Sequence, residues 1–291
     1  MNLARRLRTE RAQAILFVAP AVMVLVAVAL VPILAALWLS FHRSILLFGE
    51  RAFVGLDNYA LLLRDTRFHA ALLRTLYFAA VAVTIELLLA LPIALLLHRA
   101  MPGRGFLRAA VLIPWAIPTV VSARIWGWLF NPDYGLLPRL LPASDVNWLG
   151  TPGYALHAAI VVDVWKTTPF VALLLLAGLQ GIPEDLYRAA RVDGAGRWTL
   201  LTRITLPLLM PAILLALLFR TLDALRVFDA IWVLTEGGPA NTTETLSVYA
   251  YKTLLRAGNF GYGSAQSVVT FLVVMAVGVI YLRVLGAGRE G

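Results

Sequence analysis

The sequence predicts an all-α polytopic membrane protein with six transmembrane helices, and three observations carry that reading. Of the 291 residues, 60% are hydrophobic and only 14% are charged, where ordinary soluble domains hold about 25% charged residues. So much apolar surface cannot hide inside one globular core of this size, and its natural solvent is a bilayer. The apolar residues also form long continuous runs, not alternating segments of about ten residues as in a barrel. Backbone groups in lipid must bond within their own segment or within a closed barrel, so these runs are helices.

The runs fall at about 14–41, 71–98, 106–130, 154–180, 204–234 and 263–285. At about 1.5 Å per residue each can cross about 30 Å of hydrocarbon, some with tilt. The first is longer than the apolar core of about 7–15 residues in a cleavable signal peptide, so it is expected to persist as a span. Residues 1–291 then form a single transmembrane domain. The connections 42–70, 131–153 and 235–262 are long enough to carry short helices, and the second is rich in turn formers such as Pro132, Gly135, Pro138 and Pro142.

The net charge is +9. In a soluble chain this balance would suggest nucleic acid; here basic residues flanking membrane spans account for it, and no nucleic-acid partner is expected. With the N-terminus inside, the cytoplasmic segments hold 13 Lys and Arg residues and the outer loops 8. The bias places both termini in the cytoplasm. There is no cysteine, which removes disulfides and thiolate metal sites.

The segment 181–203 has a composition of its own. Pro183 suits the start of a helix, and Glu184 and Asp185 suit the positive end of its dipole. Leu186, Ala189, Ala190 and Asp193 share one helical face, and Gly194 can end the helix in a left-handed conformation. A second short amphipathic run follows through Trp198, Leu201 and Ile204, before Pro207 opens the fifth span. On physical grounds two readings stay open: an amphipathic helix lying in the lipid interface, or a small-residue face that another protein approaches closely.

The stretch Ala189-Ala190, Asp193-Gly194-Ala195, Ile204 and Leu206-Pro207 resembles the conserved cytoplasmic loop, the EAA loop, of bacterial ATP-binding-cassette importer permeases. The resemblance implies a type I importer permease fold whose loop between the fourth and fifth spans docks on an ATPase. Leu186, Arg188, Ala189, Ala190, Asp193, Gly194 and Ala195 would make that coupling. Arg188 departs from the family, which commonly has a glutamate there. The run Phe228-Asp229-Ala230-Ile231-Trp232-Val233-Leu234-Thr235-Glu236-Gly237-Gly238-Pro239, with Thr242-Thr243-Glu244-Thr245-Leu246, Tyr249-Ala250-Tyr251, Ile113-Pro114 and Trp165-Lys166-Thr167-Thr168-Pro169, is similar to sugar permeases of the maltose/trehalose/glycerol-phosphate group. These are binding-protein-dependent transport inner-membrane components.

No Gly-x-x-x-x-Gly-Lys-Ser/Thr loop is present to cradle nucleotide phosphates, since Lys166 follows Trp165 and Lys252 follows Tyr251. If transport is ATP-driven, ATP and Mg belong to a separate ATPase. The chain offers no catalytic residues and no metal-ligand cluster, binds no cofactor of its own, and is not an enzyme by itself. The scattered His42, His69, His98 and His157 are read as interfacial.

Eight ionisable residues fall within predicted spans away from their ends: Glu86, Arg124, Asp163, Lys166, Arg220, Asp223, Arg226 and Asp229. A lone charge at the bilayer centre costs about 2.5–3.5 kcal/mol, so such residues pair or face water. Asp163 with Lys166, Arg220 with Asp223, Asp223 with Arg226 and Arg226 with Asp229 stand at i, i+3, and the last four residues form a polar stripe on span five. The stripe can be structural, or it can line a hydrated path where carboxylates accept from sugar hydroxyls, cations donate to them and aromatic rings stack on sugar faces. The resemblance places the substrate path at Asp163, Lys166, Thr167, Phe170, Arg220, Asp223, Ala224 and Asp229. Glu86 and Arg124 have no such support and are read as a structural pair.

The family likeness implies one permease chain of an ATP-driven sugar importer in the bacterial cell (inner) membrane, carrying a disaccharide such as trehalose or maltose. Its partners would be a second homologous permease, an ATPase dimer and an extracellular or periplasmic sugar-binding protein. An ion-gradient-driven secondary transporter is the alternative from another class. Within the importer class, glycerol phosphate or another polyol is the alternative substrate.

Overall fold

A computed structural model of the chain describes residues 3–140 and 146–287. Five helices are long and apolar enough to cross a bilayer, and a bent pair supplies a sixth crossing if it is one span. By packing, the chain divides into two units: Met1–Asp65 with Ala250–Val269, and Thr66–Tyr249 with Thr270–Gly291.

In the first unit, α1 (Leu3–Leu25) and α2 (Val31–Ser40) are joined by a widened π turn at Val26–Leu30. The turn lies just before Pro32, whose ring bars the ordinary bond to the preceding turn. The segment 42–70, read as long enough to carry short helices, opens with an antiparallel hairpin that the sequence did not suggest, of β1 (His42–Ile45) and β2 (Glu50–Phe53), with His42 opposite Phe53. α3 (Asp57–Arg64) follows. Asn58 Nδ2 pins the hairpin base, donating to the carbonyls of Ser40 at 2.8 Å and His42 at 3.0 Å. Tyr262 donates its hydroxyl to Asp65 at 2.5 Å.

The second unit holds α4 (Thr66–His98), α5 (Arg104–Ala116), α6 (Thr119–Leu129), α7 (Leu136–Leu140), α8 (Tyr154–Gln180), α9 (Glu184–Val192), α10 (Arg197–Leu200), α11 (Leu206–Ala224) and α12 (Asp229–Thr235). α13 (Leu246–Tyr251) and α14 (Phe260–Ala287) complete the chain, each beginning in one unit and ending in the other. The second and fourth spans lie where the sequence places them. The third does not run straight through 106–130: α5 and α6 meet at 89°. Ile117 is extended there because the following Pro118 disfavours the helical conformation. The fifth span begins earlier than expected, at Arg197, so the run through Trp198, Leu201 and Ile204 is its first part and not a separate helix. It also stops earlier, at Ala224, and residues 225–228 turn before α12.

α4, α8 and α11 form the core of this unit. One apolar cluster gathers Phe78, Val83, Ile160, Val164, Leu225 and Ile231. Another, toward α9, gathers Leu97, Leu175, Leu179, Leu209 and Ile213. Close approach of α8 and α11 in the second cluster depends on Gly178: a Cβ there would lie 2.5 Å from the Ala212 Cβ. The loop after α12 is held from within. Thr243 shares a 2.7 Å hydrogen bond with Thr235, Thr242 donates to the Pro239 carbonyl, and fully buried Glu244 receives a forked pair from Arg67 at 2.7 and 2.8 Å.

Candidate functional site

Between the two apolar clusters the three core helices each contribute ionisable groups at one level. Glu86 on α4 is completely buried and Arg220 on α11 is 2% exposed. Arg220 donates from Nε to Glu86 Oε2 at 2.6 Å and from Nη2 to Glu86 Oε1 at 2.7 Å. The same Nη2 donates to Asp163 Oδ2 on α8 at 2.9 Å, and Nη1 donates to Asp223 Oδ2 at 2.5 Å. The Thr167 hydroxyl lies 2.7 Å from Glu86 Oε1 and 2.6 Å from the Asp163 carbonyl, and its single hydrogen is shared between them. One guanidinium thus ties three spans together, the arrangement a buried charge requires. Glu86 pairs with Arg220 and not with Arg124. Arg124 is exposed on α6 and makes no ion pair among the described residues.

The three carboxylate side chains grade from interior to solvent: Glu86 at 0%, Asp163 at 13% and Asp223 at 65% exposure. The gradient opens into a cleft where α11 ends. One lobe, of about 220 Å³, is lined by Asp163, Lys166, Thr167, Asp223, Ala224 and Asp229, with Trp115, Thr119, Arg226, Val227, Phe228 and Ala230. An adjoining lobe of about 290 Å³ is lined by Thr167, Phe170, Arg220 and Asp223, with Trp115, Phe219 and Arg226. All eight residues expected on the path therefore border one cleft.

Of the i, i+3 pairs, only Arg220 with Asp223 forms. The helix break at 225–228 carries Arg226 and Asp229 off a common helical face, so there is no continuous stripe. Arg226 Nε donates to the Leu222 carbonyl at 3.1 Å. The Asp229 carboxylate opens α12 and makes no hydrogen bond among the described residues. Lys166 turns away from Asp163 and donates to the Trp115 carbonyl at 3.2 Å. That carbonyl lies in the last turn of α5, where the bend removes the usual donor and the helix dipole favours a cation. One turn along α8, Phe170 stacks on the Trp115 ring at 5.7 Å, and Phe228 stacks on Trp232 at the same separation. The cleft combines free carboxylate oxygens, cationic donors and flat apolar rings, which suits a hydroxyl-rich solute with apolar faces.

At the far end of α8, the helix α9 closes with its backbone turned back on itself. Ala195 N–H bonds the Ala190 carbonyl at 2.9 Å and Gly194 N–H bonds the Arg191 carbonyl at 3.1 Å. Gly194 sits at φ +80°, where a side chain would be strained. Tyr187 anchors the helix, packing on the second apolar cluster and sharing a 3.1 Å hydrogen bond with Thr205. Leu186, Ala189 and Asp193 stay exposed, and Ala190 and Ala195 are half-buried. Arg188 reaches back along its own helix to Glu184 at 3.2 Å and Asp185 at 3.7 Å, all three exposed.

The model of the family described as binding-protein-dependent transport system inner membrane component matches residues 86–289. The chain belongs to this family. The permease is 45% identical to the trehalose/maltose transport system permease protein MalF of Thermococcus litoralis, over 97% of each chain. It is 47% identical to the trehalose transport system permease protein SugA of Mycobacterium tuberculosis, over 97% of this chain and 91% of that one. In fold the permease matches a chain of a bacterial alginate ABC transporter solved with an alginate-bound periplasmic protein, with a TM-score of 0.83, 21% identity and coverage of 97% and 96%. It is a multi-pass ABC importer permease subunit.

Sequence reasoning missed several residues at the permease's cleft. Trp115, Thr119 and Phe228 are ordinary apolar or small polar residues within runs, and only the two helix breaks bring them to the cavity. Glu86 lies 134 residues from Arg220. A charge stranded in an apolar run signals that a partner exists, but not which one.

Proposed function

We propose that the permease forms half of the translocation path of an ATP-driven, binding-protein-dependent importer for a neutral disaccharide of the trehalose or maltose kind. The observation that carries this reading is the cleft beside the broken fifth span, where free carboxylate oxygens of Asp163, Asp223 and Asp229 lie beside Trp115, Phe170 and Phe228. Its ionisable groups are Asp163, Asp223 and Asp229 against Lys166, Arg220 and Arg226, and Arg220 is already shared among Asp163, Asp223 and the buried Glu86 behind them. Such a balance disfavours an anion such as glycerol phosphate. The near full-length relatives named for trehalose and maltose support the sugar class.

A second, homologous permease completes the path. Each permease docks on one subunit of an ATPase dimer, which carries ATP and Mg. In this chain the docking surface is α9 and its cap, with Leu186, Arg188, Ala189, Ala190, Asp193, Gly194 and Ala195. Both termini lie in the cytoplasm, the membrane is the cell (inner) membrane, and an outer binding protein delivers the sugar. ATPase closure draws the coupling helices together and turns the cleft outward. The test is reconstitution of both permeases with the ATPase in vesicles, with the binding protein and labelled trehalose. Uptake that needs ATP and binding protein, and survives collapse of ion gradients, is expected. Gradient-driven uptake by this chain without ATP would overturn the proposal.

A further inference from the structure

Among the described residues, the completely buried Glu86 stands outside the expected path yet meets two residues on it, Arg220 and Thr167. Glu86 does not border the cleft, yet both of its oxygens are engaged: Oε2 by Arg220 Nε, and Oε1 by Arg220 Nη2 and Thr167. Arg220 in turn donates from Nη2 to one oxygen of Asp163 and from Nη1 to one oxygen of Asp223, so four of its five N–H groups are held by carboxylates. Those bonds fall on Oδ2 in both residues, leaving Oδ1 of each without an Arg220 bond, and both residues line the cavity. A guanidinium is rigid and planar, so fixing one side on Glu86 fixes where its other nitrogens point.

We infer that Glu86 is a positioning residue for solute recognition: by holding Arg220 in a fork it aims Asp163 and Asp223 so that one oxygen of each accepts a solute hydroxyl. Arg220 is then chiefly an orienting group, with one N–H left facing neither Glu86 nor the two aspartates. The inference rests on the sugar-importer reading above and adds to it a residue that never touches the sugar. Thr167 serves the same end, closing the gap between Glu86 and the α8 backbone. If Glu86 loses its charge, the guanidinium is free to chelate both oxygens of Asp163 or Asp223, and the solute loses its acceptors.

Glu86→Gln is the informative variant, because Arg220 keeps two carboxylates and no charge is left unpaired. Thr167→Val removes only the bridging hydroxyl. The measurement is the Kd of labelled trehalose for the detergent-purified complex, set beside the thermal midpoint of the same sample and ATP-dependent uptake by the wild-type complex. A tenfold or greater rise in Kd for Glu86→Gln, with a smaller rise for Thr167→Val, is expected. A clamp that only holds helices together would lower the midpoint and leave Kd at the wild-type value, and that result overturns the inference. If Glu86→Gln fails to assemble, Thr167→Val decides: a threefold or greater rise supports the inference and an unchanged Kd overturns it. A wild-type complex with no ATP-dependent uptake defeats the importer reading, and this inference with it. Wild-type uptake with unchanged Kd in the variants defeats this inference alone.

Discussion

The permease carries two clusters in which an arginine meets carboxylates of neighbouring turns or helices, and they behave as opposites. Around Arg220, 3% of the side chain is exposed and its partners come from three helices. Around Arg188, 68% is exposed and both partners sit on the same short helix. The buried contacts are shorter, 2.5–2.9 Å against 3.2 and 3.7 Å, and in the first case water cannot replace a lost partner whereas in the second it can. The buried arginine is committed to the protein's own architecture. The exposed one holds its carboxylates loosely and can exchange them for groups on another surface.

Predictions that probe this contrast run from the interior outward. Arg220→Met should cost about 3–5 kcal/mol by leaving Glu86 buried without its cation, read as a fall in the thermal midpoint of the purified chain. Adding Glu86→Met should recover much of the loss, and no recovery would deny that Glu86 is the critical partner. Arg67→Gln takes the forked charge pair away from fully buried Glu244, with Arg67 itself part-exposed, and about 1.5–3 kcal/mol is expected in the same assay. Gly194→Val forces a branched side chain into the left-handed region, at about 1–2 kcal/mol. That variant should still insert in the membrane but lose transport and sugar-stimulated ATP hydrolysis; full transport would count against α9 as the coupling element. Arg188→Ala should change stability by no more than about 0.5 kcal/mol. A loss above 1 kcal/mol on the same scale would erase the contrast between the two clusters.

The spans were legible because hydropathy is a sum over many residues, and 154–180 coincides with α8. The breaks were not, for two different reasons. At Ile117-Pro118 the signal existed, since a residue before proline avoids the helix, but apolar residues on both sides hid it. At Leu225-Arg226-Val227-Phe228 there is neither Gly nor Pro, and the break goes with tertiary contacts: Leu225 is buried against Phe78 and Ile160, and the Thr245 hydroxyl donates to the Val227 carbonyl at 3.1 Å. The i, i+3 arithmetic for Arg226 and Asp229 failed with it. The hairpin at 42–53 was missed because its strands are four residues each and only partly apolar. The cap at Gly194 was readable because it is local chemistry, whereas the fork between Glu86 and Arg220 joins helices far apart in sequence.

The close approach at Gly178 has a mechanical meaning when set beside the Arg220 cluster. α8 and α11 are fastened to each other at two heights, once by charge at Asp163 and once by bare contact with Ala212. Two fastenings oppose sliding and twisting between them, so a pull on the α9 elbow is expected to turn the pair as a unit. From Asp163 to the end of α8 the arm is about 26 Å at 1.5 Å per residue. A tug of about 5 Å at its tip, one helical pitch, turns it by only about 11°. On that geometry a pull at the elbow would reach the cleft as a small rotation, one that leaves the buried charges paired.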